Sequence, residues 1–200
     1  LRSIGCTVTV FDDAISESHD LLINQYPEVA VFNEHFDYKI LQLIDFVVVS
    51  PGVMPGHKVL NQAKKHNVEI TTDLDLFAEN TTAKYILVTG TNGKSTVVTL
   101  VADILCASGL KAVAAGNIGL PVLNCLVDDI DWVVIEASSF SLHYSNNLLA
   151  EAGVVLNIGR DHLDWHGSME NYLQAKLKTY DYSKIAICNF EQKQLNKQIS

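Results

Sequence analysis

The sequence predicts a parallel α/β protein, and three observations carry that prediction. Short apolar runs rich in β-branched residues alternate with stretches of helical period along most of the chain. Asp45 to Val49 is a continuous apolar run of the kind expected of a strand buried on both faces. Residues 86–96, Ile-Leu-Val-Thr-Gly-Thr-Asn-Gly-Lys-Ser-Thr, pass from an apolar run through a glycine turn straight into a helical stretch.

Taken in order, residues 7–11 alternate and end in Asp12-Asp13, a strand with an acidic tip, and a helix tail is expected ahead of them at Leu1. Glu28 to Phe32 reads as a second short strand. Asp45 to Val49 ends in Ser50-Pro51-Gly52; a helix over 56–66, a strand over 68–70 and a brief helix over 73–78 follow. Asn80-Thr81-Thr82, polar and aperiodic, reads as a linker. Beyond it, strands are predicted over 85–89, 111–114, 131–136, 153–157 and 184–188, with helices near 95–108, 119–127 and 168–182. In the first of these helices Val97, Leu100, Val101, Ile104 and Leu105 are expected to share the inward face, and Gly109 supplies the stop. Glu191 to Ser200 reads as a polar helix.

The glycine turn has the composition of a phosphate-binding P-loop, Gly90-Thr91-Asn92-Gly93-Lys94-Ser95-Thr96. Glycines let backbone N–H groups point inward, the helix N-terminus adds partial positive charge, and Lys94 reaches outer phosphates. The hydroxyl of Ser95 is placed to ligate Mg²⁺. The usual pattern has glycine where Val88 stands, with Gly90 inside the loop instead, and an ordinary strand-to-helix turn with an incidental lysine is the alternative. Glu136 ends the apolar strand Trp132-Val133-Val134-Ile135 and reads either as the acid that holds Mg²⁺ or as a solvated strand end. Asn117, in Gly116-Asn117-Ile118-Gly119, offers a donor and an acceptor near a possible ligand. Ser138 reads equally as a substrate contact or a cap, and His162 as a ligand or a structural histidine.

Lys176 is the anomaly. Ser168 is a fitting N-cap for a helix whose apolar face is Met169, Tyr172, Leu173, Leu177 and Tyr180. At about 100° per residue Lys176 falls in the middle of that stripe, whereas Lys178 points the opposite way. Burial there lowers an amine's pKa. Pairing with an acidic neighbour is the plain alternative.

Together T-G-T-N-G-K-S-T, G-N-I-G-L-P, E-A-S-S-F-S-L and N-I-G-R-D-H-L-D-W-H-G-S-M-E-N-Y-L-Q-A-K resemble the Mur ligases, ATP-dependent amide ligases of peptidoglycan precursor synthesis. S-P-G-V at 50–53 and D-L-D-L-F at 73–77 favour the branch that adds D-glutamate to UDP-N-acetylmuramoyl-L-alanine through an acyl phosphate. The resemblance implies a partial Rossmann-like UDP-substrate domain over 1–80 and a partial P-loop ATPase-type domain over 84–200. It implies that Lys94 binds the γ-phosphate, that Ser95 and Glu136 hold one Mg²⁺, and that His162 and a carbamylated Lys176 hold a second. Lys94, His162 and Lys176 would be the catalytic set, Asp12 and Asp13 would lie near the uracil, Ser50, Pro51 and Gly52 near the UDP moiety, and Asn117 and Ser138 on the muramoyl-alanine arm. Ala137 and Ser141 depart from the family's E-L-S-S-F-Q-L. A first strand before Leu1 and a third domain after Ser200, which the family would use for D-glutamate contacts, are not in the chain, so a piece of a longer protein is expected.

The bulk composition agrees with small-molecule partners. A net charge of −9 without a Lys/Arg run argues against nucleic acid, and no apolar run approaches the about 18 residues of a membrane span. Cys6, Cys106, Cys125 and Cys188 form no C-x-x-C pair, so a reduced, cytoplasmic monomer is expected. Rival readings are a family member adding a diamino acid, suggested by D-H-L-D-W-H-G, and a P-loop nucleotide switch without ligase activity. Folylpolyglutamate synthase fits less well, since its loop commonly reads G-K-G-S. A dinucleotide oxidoreductase rests on Asp12 alone.

Overall fold

The computed structural model describes residues 5–13, 17–32 and 37–192, with the side chains of 17–19 left aside. The helix tail expected at Leu1, and most of the polar helix expected from Glu191, lie outside these residues; Glu191 itself sits in a turn. The chain forms two compact units, Leu1–Ile44 and Asp45–Ser200.

In the first unit β1 (Thr9–Phe11) pairs in parallel with β2 (Ala30–Phe32), Thr9 facing Ala30 and Phe11 facing Phe32. The crossover contains α1 (Glu17–Gln25), a helix not foreseen in the sequence. A 3₁₀ turn, Tyr38–Leu43, closes the unit, capped by the Asp37 carboxylate accepting from the Lys39 N–H.

The second unit starts with β3 (Phe46–Val48) and β4 (Glu69–Thr71), a parallel pair joined through α2 (Lys58–Lys65). The expected double-sided burial of β3 does not occur. Val47 and Val49 pack on Leu60 of α2, but Val48 on the opposite face is 38% exposed, because β4 is its one neighbour among the described strands. Then come α3 (Asp73–Asn80), β5 (Lys84–Thr89), α4 (Lys94–Ala107), β6 (Ala112–Gly116), β7 (Trp132–Glu136), α5 (Ser139–Tyr144), β8 (Ala152–Val155), α6 (Leu163–His166), α7 (Met169–Asp181) and β9 (Ala186–Cys188). The five strands β5 to β9 form one parallel sheet, ordered β6-β7-β5-β8-β9. The predicted helix over 119–127 shrinks to a 3₁₀ turn, Val122–Cys125. Gly119 at φ +70° and Pro121 at ψ 135° leave the residues ahead of it non-helical.

Alternation along β5 and β7 divides the core in two. Tyr85, Leu87, Val133 and Ile135 face α3 and α5 through Leu74, Phe77 and Leu142; Val88 and Val134 face α4 through Val98 and Ala102. The inward face of α4 is therefore not the one expected. Val98 and Ala102 are buried, with Val97, Val101 and Leu105 beside them, while Leu100 and Ile104 are each 55% exposed. Small residues let the helix sit close to the sheet, and the bulkier pair is turned outward. Gly109, at φ +87°, ends the helix as expected, with the Leu110 N–H bonded to the Leu105 carbonyl.

The linker expected around 80–82 lies inside this second unit, and α3 is tied to the segment that follows α5 by one carboxylate. Asp75, 2% exposed, accepts from the N–H and hydroxyl of Thr72 in a capping box, and from the N–H groups of Asn146 and Asn147 beyond α5. Asp75→Ala would take the acceptor from the buried Thr72 donors and from the two half-buried backbone N–H groups, and is expected to cost about 3 kcal/mol. Denaturant unfolding should show a lower midpoint with an unchanged slope.

Candidate active site

Parallel pairing puts the C-terminal ends of all five strands on one edge, where open α/β sheets leave backbone groups free for ligands. β5 is central, and its end turns through Gly90 to Gly93 into α4. Gly90, at φ +152°, lets the turn lie against β8: a Cβ there would stand 3.1 Å from the Leu156 Cβ. Asn157, at the end of β8, holds the turn from the other side. Its Oδ1 accepts from the N–H groups of Thr91 and Asn92 at 3.1 and 2.9 Å, and its Nδ2 donates to the Asn92 carbonyl. The N–H groups of Lys94, Ser95 and Thr96 precede the first bond of the helix, Val97 N–H to Gly93 carbonyl, and open at the edge of the sheet.

Two amines meet at this turn. Lys94 Nζ donates to the carbonyls of Gly90 and Thr91, both at 3.0 Å. Lys176 Nζ, reaching up from α7, donates to the same Gly90 carbonyl at 2.9 Å and to Thr89 Oγ1 at 3.2 Å. Lys176 is 2% exposed, as its place in the apolar stripe implied, and lies 4.9 Å from the centre of the Tyr172 ring. Burial, reinforced by Lys94, pushes its ammonium down to about 7, with Asp161 and Glu136 acting in the opposite sense. Lys178 does not point into solvent: its Nζ donates to the carbonyls of His143 and Ser145 at the C-terminal end of α5.

Glu136 ends β7 directly beside Val88 of β5 and is 3% exposed, not a solvated strand end. Its Oε2 accepts from Ser95 Oγ at 2.8 Å and its Oε1 from Asn117 Nδ2 at 3.2 Å. Asn117 reaches it because β6 and β7 converge tightly: a Cβ on Gly116, at φ +100°, would lie 2.5 Å from the Glu136 carbonyl oxygen. Lys94, Ser95, Asn117, Glu136 and Lys176 are thus gathered at one edge.

The remaining predicted residues are placed differently. Ser138 caps α5, accepting from the Ser141 N–H, with its hydroxyl 2.9 Å from Ser141 Oγ. His162 is exposed, sits in the left-handed region at φ 50°, and lies 3.4 Å from an Asp161 oxygen, with its ring 6.4 Å from that of Tyr172. Ser50, Pro51 and Gly52 turn away from β3; the Gly52 carbonyl accepts from Trp165 Nε1 and the Ser50 carbonyl from the Val53 N–H. Asp12 and Asp13 are exposed in the first unit, where the Asp12 N–H donates to the Phe32 carbonyl. Sequence reasoning passed over Asn157, Thr89 and Tyr172, whose hydroxyl is 3.0 Å from Thr91 Oγ1. Asn157 and Thr89 stand at the last positions of predicted strands, which was the available signal.

Among the described residues no three His, Cys, Asp or Glu side chains are grouped for a metal ion. No described ion pair involves Lys94, Lys176 or Glu136. A buried carboxylate meeting neutral donors, and two amines on one carbonyl, are what a divalent cation and an anion would complete.

A parallel sheet whose central strand turns through glycine into a helix, with a buried acid ending the neighbouring strand, puts the second unit in the P-loop class of α/β folds. A family profile described as Mur ligase middle domain matches residues 88–200, more than half of the chain, and the chain belongs to the Mur ligase family. It is 37% identical over 188 residues to a UDP-N-acetylmuramoylalanine–D-glutamate ligase of Methylobacillus flagellatus, covering 92% of this chain and 42% of that one. An enzyme of the same name from Haemophilus influenzae is 41% identical over 147 residues, covering 74% and 34%. The crystal structure of a UDP-N-acetylmuramate:L-alanyl-γ-D-glutamyl-meso-diaminopimelate ligase from Neisseria meningitides matches with a TM-score of 0.61 over 99% of this chain and 68% of that one; at 18% identity the likeness is one of fold. The chain spans less than half the length of the curated relatives it matches.

His166, beside this edge, allows a test of the local packing. Its ring is 5% exposed, and burial pushes it from 6.5 down to about 4, with His143, His162 and Lys176 adding to the shift and Asp164 opposing it. A histidine depressed in the folded state stabilises fully above its unfolded pKa and loses that contribution as pH falls toward the folded value. Between about pH 7 and about pH 5 this one group is expected to remove roughly 2 kcal/mol of stability. Denaturant titrations should show that part of the loss absent in His166→Gln.

Proposed function

We propose that this chain is part of an ATP-dependent amide ligase of peptidoglycan precursor synthesis, one that adds D-glutamate to UDP-N-acetylmuramoyl-L-alanine. The observation that carries the phosphoryl chemistry is the convergence of Lys94 and Lys176 on the Gly90 carbonyl with Glu136 bound to Ser95 nearby. The identity to D-glutamate ligases over most of the chain supports the choice of substrate. Residues 1–80 would serve the UDP-bearing substrate, through Asp12, Asp13 and Ser50 to Gly52, and residues 84–200 the nucleotide, with Asn117 and Ser138 on the muramoyl-alanine arm. The four cysteines are free thiols, and among the described residues no helix is long and apolar enough to cross a membrane; both suit an enzyme working on small soluble substrates in a reducing cytoplasm.

In this reading a carboxylate oxygen of the alanyl group attacks the γ-phosphorus of ATP and ADP leaves. The amine of D-glutamate then attacks the acyl carbon, phosphate leaves, and the nitrogen loses a proton to give the amide. Lys94 and the first-turn N–H groups of α4 would hold the phosphates and offset their charge. Ser95 and Glu136 fit one Mg²⁺, and His162 with Lys176 a second; bound there, the ions would neutralise charge on the transferring phosphoryl group. An amine serves such a site poorly. With its pKa lowered to about 7, a substantial fraction of Lys176 is the free base near neutral pH, which can add to CO₂ and lose a proton to become a carbamate with two hard oxygens.

Lys94→Ala is expected to lower ATP-dependent phosphate release by the complete enzyme at least about 100-fold while leaving the fold intact. Unchanged turnover would remove the P-loop assignment. Lys176→Ala is expected to lose activity and to regain part of it with added acetate or bicarbonate. A carbon-13 signal from labelled CO₂ on the Mg²⁺-loaded enzyme would identify the carbamate. Near-full activity in Lys176→Arg would instead assign Lys176 a cationic role.

A further inference from the structure

We infer that His166 is a positioning residue, whose hydrogen bond to Ser139 fixes the turn that presents His162 to the phosphate edge. The inference rests on the role proposed above for His162. It starts from a turn that cannot hold itself. His162 is a non-glycine residue at φ 50°, ψ 31°, a conformation that L side chains disfavour, and it opens a helix of a single turn, Leu163–His166, that ends at Gly167 with φ 76°. Isolated, such a segment would relax. His166 Nε2 lies 2.9 Å from Ser139 Oγ, and both groups are buried. Phe140, the next residue, stacks on the His166 ring at 15° and 5.6 Å, and on the His162 ring at 4.7 Å. The start of α5 therefore grips both ends of the turn.

Three elements meet at this one imidazole. Ser139 opens α5 three residues after Glu136, so the clamp follows directly on the strand that carries the buried acid. The His166 carbonyl accepts from Asn171 Nδ2 at 2.9 Å, which ties the turn to α7, the helix carrying Lys176. Among the described residues Nδ1 of His166 has no partner, so the ring's polar hold on its surroundings is the Nε2 contact. Nothing places His166 itself on the turn of Gly90 to Gly93. Its effect would pass through His162.

A double-mutant cycle in the complete enzyme tests this, reading kcat and the KM for Mg²⁺-ATP from phosphate release. His166→Ala and Ser139→Ala are each expected to lower kcat/KM about tenfold, the range for residues that orient a ligand from behind. His166→Gln, whose amide can reach the Nε2 position, should restore most of it. In a His162→Ala background the further loss from either substitution should shrink to under about twofold. Without metal or nucleotide, the His162 imidazole resonances in nitrogen-15 NMR should move in Ser139→Ala and stay near their original positions in His166→Gln. A tenfold loss that persists undiminished without His162, or unmoved His162 resonances in Ser139→Ala, would overturn the positioning role while leaving His162 in the site. Wild-type turnover in His162→Ala would overturn both. If His166→Ala does not fold, Ser139→Ala and His166→Gln complete the same cycle.

Discussion

Two amines sharing one carbonyl oxygen is the constraint on which the rest of this edge depends. Lys94, from the helix that follows the turn, and Lys176, from α7, both donate to the Gly90 carbonyl. Burial disfavours the charged form of Lys176, the neighbouring Lys94 adds to the effect, and the pKa of the more buried amine falls to about 7. Thr89 and Tyr172 are arranged around that arrangement. Thr89 takes a bond from Lys176 and passes its own proton to the Ala137 carbonyl, linking the end of β5 to the residue after Glu136. Tyr172 lays its ring against the amine and its hydroxyl against Thr91. An α7 displaced by a fraction of a turn would break the contacts of Lys176 and Tyr172 together.

The sheet supplies what surrounds this centre. Because every strand runs the same way, the residues that shape the site are the last of their strands or lie within two residues beyond them: Thr89, Gly116, Glu136 and Asn157. The core behind is apolar and alternates by position, so the polar groups are confined to a rim one or two residues deep. Residues of that rim are close in space and far apart in the chain, as the contacts of Asn157 with Thr91 and Asn92 illustrate.

That separation explains which parts were legible in the sequence. The parallel α/β class followed from alternating apolar runs, and the position of Lys176 from the period of a single helix, because both are local. The strand end at Glu136 was equally visible, and its burial came from Val88 and Gly116 on the neighbouring strands, which no local pattern encodes. The inward face of α4 was misjudged because side-chain size outweighed register: a wheel favours Leu100 and Ile104, whereas close packing on the sheet favoured Val98 and Ala102. The helix expected over 119–127 gave way to Gly119 and Pro121, whose backbone preferences override apolar spacing. His166 was not singled out in the sequence. Its role depends on Ser139, twenty-seven positions away.

The outward-facing pair on α4 bears on how this polypeptide behaves as a solute. Leu100 and Ile104 stand one turn apart on the same side, making a short oily ridge on a chain of net charge −9. In dilute buffer, mutual repulsion keeps such ridges apart. Salt shortens the reach of that repulsion to about 8 Å at physiological ionic strength and about 3 Å at 1 M, without weakening contact between apolar side chains. The chain is therefore a colloid whose tendency to cluster rises with ionic strength, opposite to the behaviour of proteins that associate through complementary charge.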